Sequence, residues 1–396
     1  MYGLVLEGGG AKGAYQIGAY FALVELGFEF EAVVGTSIGS INGAMIAMGE
    51  AEKCVELWRT LNLNDLIKEA EVRTVASKTN KQEDKSDEEK EISEVIKAIL
   101  SDGDEILDSI KSAFMDLLNT KTVSLQPLKD LVSNNIDEEK VRNSKMKFGL
   151  VTVNVTDKKA EELYIEDIPK GELNKYIVAS CYLPVFKLEP LDGKYYLDGG
   201  FYNKVPYNMV EKLNLTPIIV RTGPADIRDL SFPKDAIVIE PRKNHTSVMD
   251  FDPVKADELI RIGYFDTYKK IKSLRGNKYY IEDFSEEEAF KIIKDIFFDK
   301  LDFFAEDSSF NLSSKYRRLF EEVIPKLSSS LGLRGNYTYA DFVAALVEEE
   351  SERQNIEYLR IYKISELIDE LMKKNGIEFA NYEVSKFNQL VKRIIK

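Results

Sequence analysis

Gly35-Thr36-Ser37-Ile38-Gly39 stands between two apolar runs, Ala32-Val33-Val34 before it and Ile41 to Met48 after it. A serine flanked by glycines, where an apolar strand gives way to an apolar helix, is the pattern of a sharp strand-to-helix turn. Such a turn constrains the whole chain. The strand must lie in a sheet and the helix must pack back on it, which demands a layered α/β fold. The turn exposes the serine Oγ, and the new helix points its first amides toward developing negative charge. Taken alone, the motif has a second reading as a glycine-rich turn selected for close packing.

The surrounding pattern agrees with α/β. Gly3-Leu4-Val5-Leu6 is a buried strand by composition, and Ala11 to Leu26 has helical spacing closed by Gly27. Glu31 to Val34 predicts a second strand, Ser40 to Met48 a buried helix, and Glu50 to Leu61 an amphipathic one. Further strands are predicted at Lys147 to Val155, Tyr195 to Leu197, Pro217 to Val220 and Ala236 to Ile239. Glu162 to Ile165 is placed to form a hairpin with the first of these, and Gly171 to Ser180 and Lys255 to Ser273 are helical. The fold class is α/β, a mostly parallel central sheet sandwiched by helices.

Two regions depart from it. Ser77 to Glu91 holds no large apolar residue and predicts a solvated loop, while Ile92 to Leu118 returns to helical periodicity. Residues 62–135 are read as a helical insertion, either a lid or a surface elaboration. From Ser285 onward the pattern is helical, through Tyr337 to Glu349 and Glu352 to Lys374, with Ser285 and Glu288 spaced as a capping box. The expected domains are residues 1–275, carrying the insertion, and a C-terminal helical domain over 276–396. Phe297, Phe298, Phe303 and Phe304 read as core, with a docking surface as the alternative.

Charge and composition exclude other classes. With 54 Lys and Arg against 68 Asp and Glu, the net charge is −14, which disfavours nucleic acid as a partner. Two cysteines, Cys54 and Cys181, are too few for a disulfide framework or a thiolate metal site. The opening residues lack the basic and apolar regions of a secretory signal, so a cytoplasmic protein is expected. Ala32 to Gly49 is uncharged, but its glycines and polar residues favour a strand, turn and helix over a membrane span.

Gly8-Gly9-Gly10-Ala11-Lys12-Gly13 follows the first strand. Successive glycines in such a turn present several N–H groups to one oxygen, as an oxyanion hole or a phosphate cradle. Gly8, Gly10 and Gly13 also satisfy a dinucleotide-binding pattern, which wants an acid at the end of the second strand. Here Gly35 and Ser37 stand there instead. The only histidine, His245, lies in a polar segment and reads as a solvated surface residue. If Ser37 is a nucleophile, its base is therefore a carboxylate. Asp198, followed by Gly199 and Gly200 at the end of a core strand, is favoured by position. Asp192-Gly193 reads as an ordinary hairpin turn.

Together the three motifs resemble the patatin-like phospholipases. The glycine loop with Lys12, the elbow Gly35 to Gly39, and Asp198-Gly199-Gly200 occur in the family's order. The flanks Ala179-Ser180 through Phe186 and Asn203 through Pro206 are similar too. The resemblance covers residues 1–272. It implies a phospholipase A type lipid acyl hydrolase working through a Ser37–Asp198 dyad and an acyl-enzyme, with no metal or cofactor. Amides of Gly9 and Gly10, with Ala11 or Lys12 as further candidates, would hold the oxyanion. Lys12 would steady the loop or meet a lipid headgroup, unless it is simply solvated. The substrate would be a phospholipid or another lipid acyl ester, with peripheral membrane contact. An acyltransferase, lysophospholipase or thioesterase would use the same dyad. A non-catalytic lipid-binding protein and a dinucleotide-binding protein are the readings from other classes.

Overall fold

The computed structural model describes residues 1–63, 123–187, 189–225, 231–297 and 316–374. The expected solvated loop 77–91 and helical stretch 92–118 lie outside them, as do Phe298, Phe303 and Phe304. The chain divides into two compact units, Met1–Thr267 and Tyr268–Lys396, ahead of the expected 275/276 boundary.

The first unit is built on a seven-stranded sheet. Its strands are β1 (Tyr2–Leu6), β2 (Phe30–Thr36), β3 (Lys147–Asn154), β4 (Lys159–Tyr164), β5 (Tyr196–Asp198), β6 (Thr216–Val220) and β7 (Ile237–Ile239). The order is β4-β3-β2-β1-β6-β7, and β5 also pairs with β3. Pairs β1–β2, β1–β6, β2–β3 and β6–β7 are parallel. The runs Leu4 to Leu6 and Ile218 to Val220 are wholly buried, as strands covered on both faces require. The sheet is thus mostly parallel, with antiparallel partners only around β3.

That exception places the site. Along one edge of β3, Val151 pairs with Thr36, the last residue of β2. The next residue, Thr152, pairs with Asp198 of antiparallel β5. β5 therefore takes over the edge of β3 where β2 stops, and it delivers Asp198 to the end of β2, where Ser37 begins the turn. The uncharged stretch Ala32 to Gly49 splits between β2, this turn and the helix Ile38–Ala47. Among the described residues, no helix is long and apolar enough to cross a membrane.

The second unit corrects the expectation of an all-helical tail. Helices Glu286–Phe297 and Tyr339–Arg353 pack around Ile293, Phe297, Phe342 and Val343. Phe297 is core, only 1% exposed. A short parallel sheet joins β8 (Tyr280–Ile281) to β9 (Ile361–Tyr362). The helix expected across 352–374 is interrupted because Asn355 takes φ 51°. Its N–H bonds Glu352 O and that of Ile356 bonds Ser351 O, both at 3.0 Å, closing the previous helix in a left-handed cap. A new helix begins only at Ile364. Ser285 Oγ accepts the Glu288 amide at 3.1 Å, as a cap should.

Candidate active site

Ser37 occupies the strained point of its turn. Its backbone lies at φ 54°, ψ −128°, a combination costing of order 1–3 kcal/mol for a residue other than glycine. Neighbouring contacts hold it there. Its amide donates to Ser180 Oγ at 2.9 Å. Its carbonyl accepts the Ser40 hydroxyl at 2.6 Å and the Ser40 amide at 2.7 Å. The flanking glycines are sterically required: a Cβ on Gly35 would lie 2.1 Å from Gly39 O, and one on Gly39 would lie 2.4 Å from Leu6 O.

Asp198 is buried beside it. Oδ1 accepts the Gly200 amide at 2.7 Å. Oδ2 has no hydrogen-bond partner among the described residues. Burial pushes the carboxyl up to about 6, opposed by the Ser37 hydroxyl, the Gly200 amide and the Lys204 charge. Ser37 is thus near enough to favour the charged form without closing a full bond to Oδ2. Gly199 packs on β3, where a Cβ would meet Val151 O at 2.1 Å.

The glycine loop crosses in front of Ser37, and a Cβ on Gly8 would lie 3.4 Å from that of Ser37. Its amides divide into engaged and free. Gly8 N–H bonds Lys204 O at 3.0 Å, Ala11 N–H bonds Val248 O at 2.8 Å, and Lys12 N–H bonds Gly9 O at 3.2 Å. Among the described residues, the amides of Gly9 and Gly10 have no acceptor. Ala11 and Lys12 are therefore unsuited as further oxyanion donors, because their amides hold the loop together. Gly13 continues into the helix Ala14–Glu25, against Ile38 and Trp58. Lys12 is partly buried, and its Nζ donates to Asn244 Oδ1 at 2.9 Å. Burial and the Lys204 charge lower its pKa.

Sequence reasoning missed the residues that brace this loop. Glu7 is buried, with Oε1 2.9 Å from Lys204 Nζ and Oε2 accepting the Thr222 amide at 2.5 Å. Its carbonyl accepts Gln16 Nε2 at 2.7 Å. The one available signal was a charge ending a wholly apolar strand. Asp192, the rejected carboxylate, sits in a tight turn at φ 50° with Gly193 at φ 78°. His245 is half-buried rather than fully solvated, and burial lowers its pKa. The dinucleotide pattern fails structurally, because Thr36 and Ser37 hold the position where the acid should stand.

An apolar cleft opens onto the site. Ser37 and Gly10 line it together with Ile41, Leu128, Val185 and Phe186, among others. Cys181 also faces it, and burial raises its thiol pKa.

The fold, the elbow and the glycine loop define the class, and the comparisons agree. The patatin-like phospholipase family model matches residues 4–210. The chain belongs to that family. It is 24% identical over 239 residues to patatin-like phospholipase domain-containing protein 7 of Rattus norvegicus, covering 59% of this chain and 14% of the relative. It is 24% identical over 289 residues to the human domain-containing protein 6, covering 70% of this chain and 18% of that one. The chain thus spans less than a fifth of the length of these relatives. VipD from Legionella pneumophila is a structural neighbour at 14% identity and a TM-score of 0.42, covering 87% of this chain and 90% of that one.

Proposed function

We propose that the chain hydrolyses acyl esters of phospholipids, with Ser37 as nucleophile and Asp198 as its base. The observation that carries this reading is the meeting of a strained, cleft-lining Ser37 with a buried carboxylate that has one oxygen unpartnered. Ser37 Oγ attacks the ester carbonyl as its proton passes to Asp198. The carbonyl oxygen becomes the oxyanion and takes hydrogen bonds from the Gly9 and Gly10 amides. The intermediate then expels the alcohol, which leaves with the proton from Asp198. Water attacks the acyl-enzyme, again giving its proton to Asp198, and Ser37 recovers it as the fatty acid departs. The apolar cleft takes the acyl chain, and Lys12 at the loop is available to a headgroup.

A fluorophosphonate probe with mass mapping tests the nucleophile, alongside turnover of phosphatidylcholine, lysophosphatidylcholine and an acyl thioester. Labelling confined to Ser37, and ester hydrolysis lost in Ser37→Ala, are expected. Labelling elsewhere, or hydrolysis surviving that substitution, overturns the reading.

A further inference from the structure

The two free amides of the glycine loop are aimed from behind. A trans peptide holds its N–H and C=O in one plane, pointing in opposite directions, so fixing the carbonyl points the amide. The Gly10 amide shares a peptide with the Gly9 carbonyl, which accepts the Lys12 amide at 3.2 Å within the loop itself. The Gly9 amide shares its peptide with the Gly8 carbonyl. That carbonyl is held from outside the loop, 3.0 Å from Thr222 Oγ1, just beyond the end of β6.

Thr222 is itself fixed. Its amide donates to Glu7 Oε2 at 2.5 Å, and Lys204 steadies the other carboxylate oxygen. The hydroxyl also lies 3.2 Å from Glu7 Oε2. It has one proton to give, and the shorter of its two contacts is to the Gly8 carbonyl. Only glycine at position 9 permits the approach, because a Cβ there would fall 2.4 Å from Thr222 Oγ1.

We propose that Thr222 is a positioning residue, whose hydroxyl, set by Glu7, aims the Gly9 amide at the oxyanion. The proposal rests on the Ser37 reading above. Thr222 does not line the cleft, so its effect falls on kcat and not on KM.

Thr222→Val replaces the hydroxyl with a methyl of the same shape, and Thr222→Ser keeps the hydroxyl. The valine variant should lower kcat about tenfold, less than the roughly 100-fold or more of deleting an oxyanion donor outright. KM for a phospholipid ester should hold, and fluorophosphonate labelling of Ser37 should slow in parallel. The serine variant should recover most of the rate. If the valine variant does not fold, Thr222→Ala against Thr222→Ser isolates the hydroxyl, since both lack the methyl. Unchanged kcat in a folded valine variant, or equal rates in Ser and Ala, overturns the proposal. Activity surviving Ser37→Ala would instead sink the reading beneath it.

Discussion

The Thr36 hydroxyl donates to the backbone carbonyl of Asn203 at 2.8 Å. It ties the residue before Ser37 to the segment that follows Asp198. The pairing of β3 with both β2 and β5 sets the two side chains at one level, and this bond fixes their separation beyond the strands. Thr36→Val should therefore cost about 1 kcal/mol of stability and lower kcat with little change in KM. Denaturant unfolding and ester kinetics check it, and an unaltered kcat would deny the bond its positioning role.

The pH dependence follows from Asp198. Its carboxyl, pushed up to about 6 by burial, must be ionised if it is to act as the proposed base. kcat/KM should rise with pH about a midpoint near 6. Stability runs the other way. The folded chain holds the Asp198 proton more tightly than the unfolded chain, so stability is gained as pH falls from about 6 toward 4. Above that window the folded state carries the cost of a buried charge, bounded at about 3 kcal/mol by the size of the shift. Asp198→Asn should abolish turnover and raise the denaturation midpoint at pH 8 more than at pH 5. Equal midpoints for the two proteins at both pH values would show that burial does not strain this carboxylate.

Much of this was legible in the sequence. The elbow, the glycine loop and the Asp-Gly-Gly turn are local patterns, and Gly35, Gly39 and Gly199 answer to contacts close in the chain or in an adjacent strand. Asp198 could be preferred to Asp192 because one ends an apolar strand and the other begins a turn. Glu7, Thr222 and Ser180 were not legible. Their roles depend on partners brought near by the sheet, such as Thr222 arriving at Glu7 because β1 and β6 are neighbours. The break at Asn355 was hidden for a different reason. Ile361 and Tyr362 fit a helical spacing as readily as a strand, and only pairing with β8 decides between them.

The apolar cleft predicts a chain-length dependence. Each methylene removed from water contributes about 0.8 kcal/mol, so long acyl esters gain most from Ile41, Leu128, Val185 and Phe186. Val185 is only partly buried, so Val185→Asp should fold. It should raise KM sharply for long-chain esters and leave hydrolysis of a short soluble ester nearly unchanged. Equal losses on both would place the acyl chain elsewhere.

Ser180 gives the sharpest test of the strained turn. Its Oγ is the acceptor for the Ser37 amide, and both residues are buried. Ser180→Ala leaves that amide without a partner, at a cost of about 1–3 kcal/mol. The turn can recover the loss only by relaxing from φ 54°, which carries Oγ away from Asp198. Ser40→Ala is the control. It removes the hydroxyl from the Ser37 carbonyl but leaves the Ser40 amide in place. Ser180→Ala should therefore lose more kcat and more stability than Ser40→Ala, and fluorophosphonate labelling of Ser37 should follow the same order. The reverse order would mean that the carbonyl side, and not the Ser180 contact, holds Ser37 in its strained conformation.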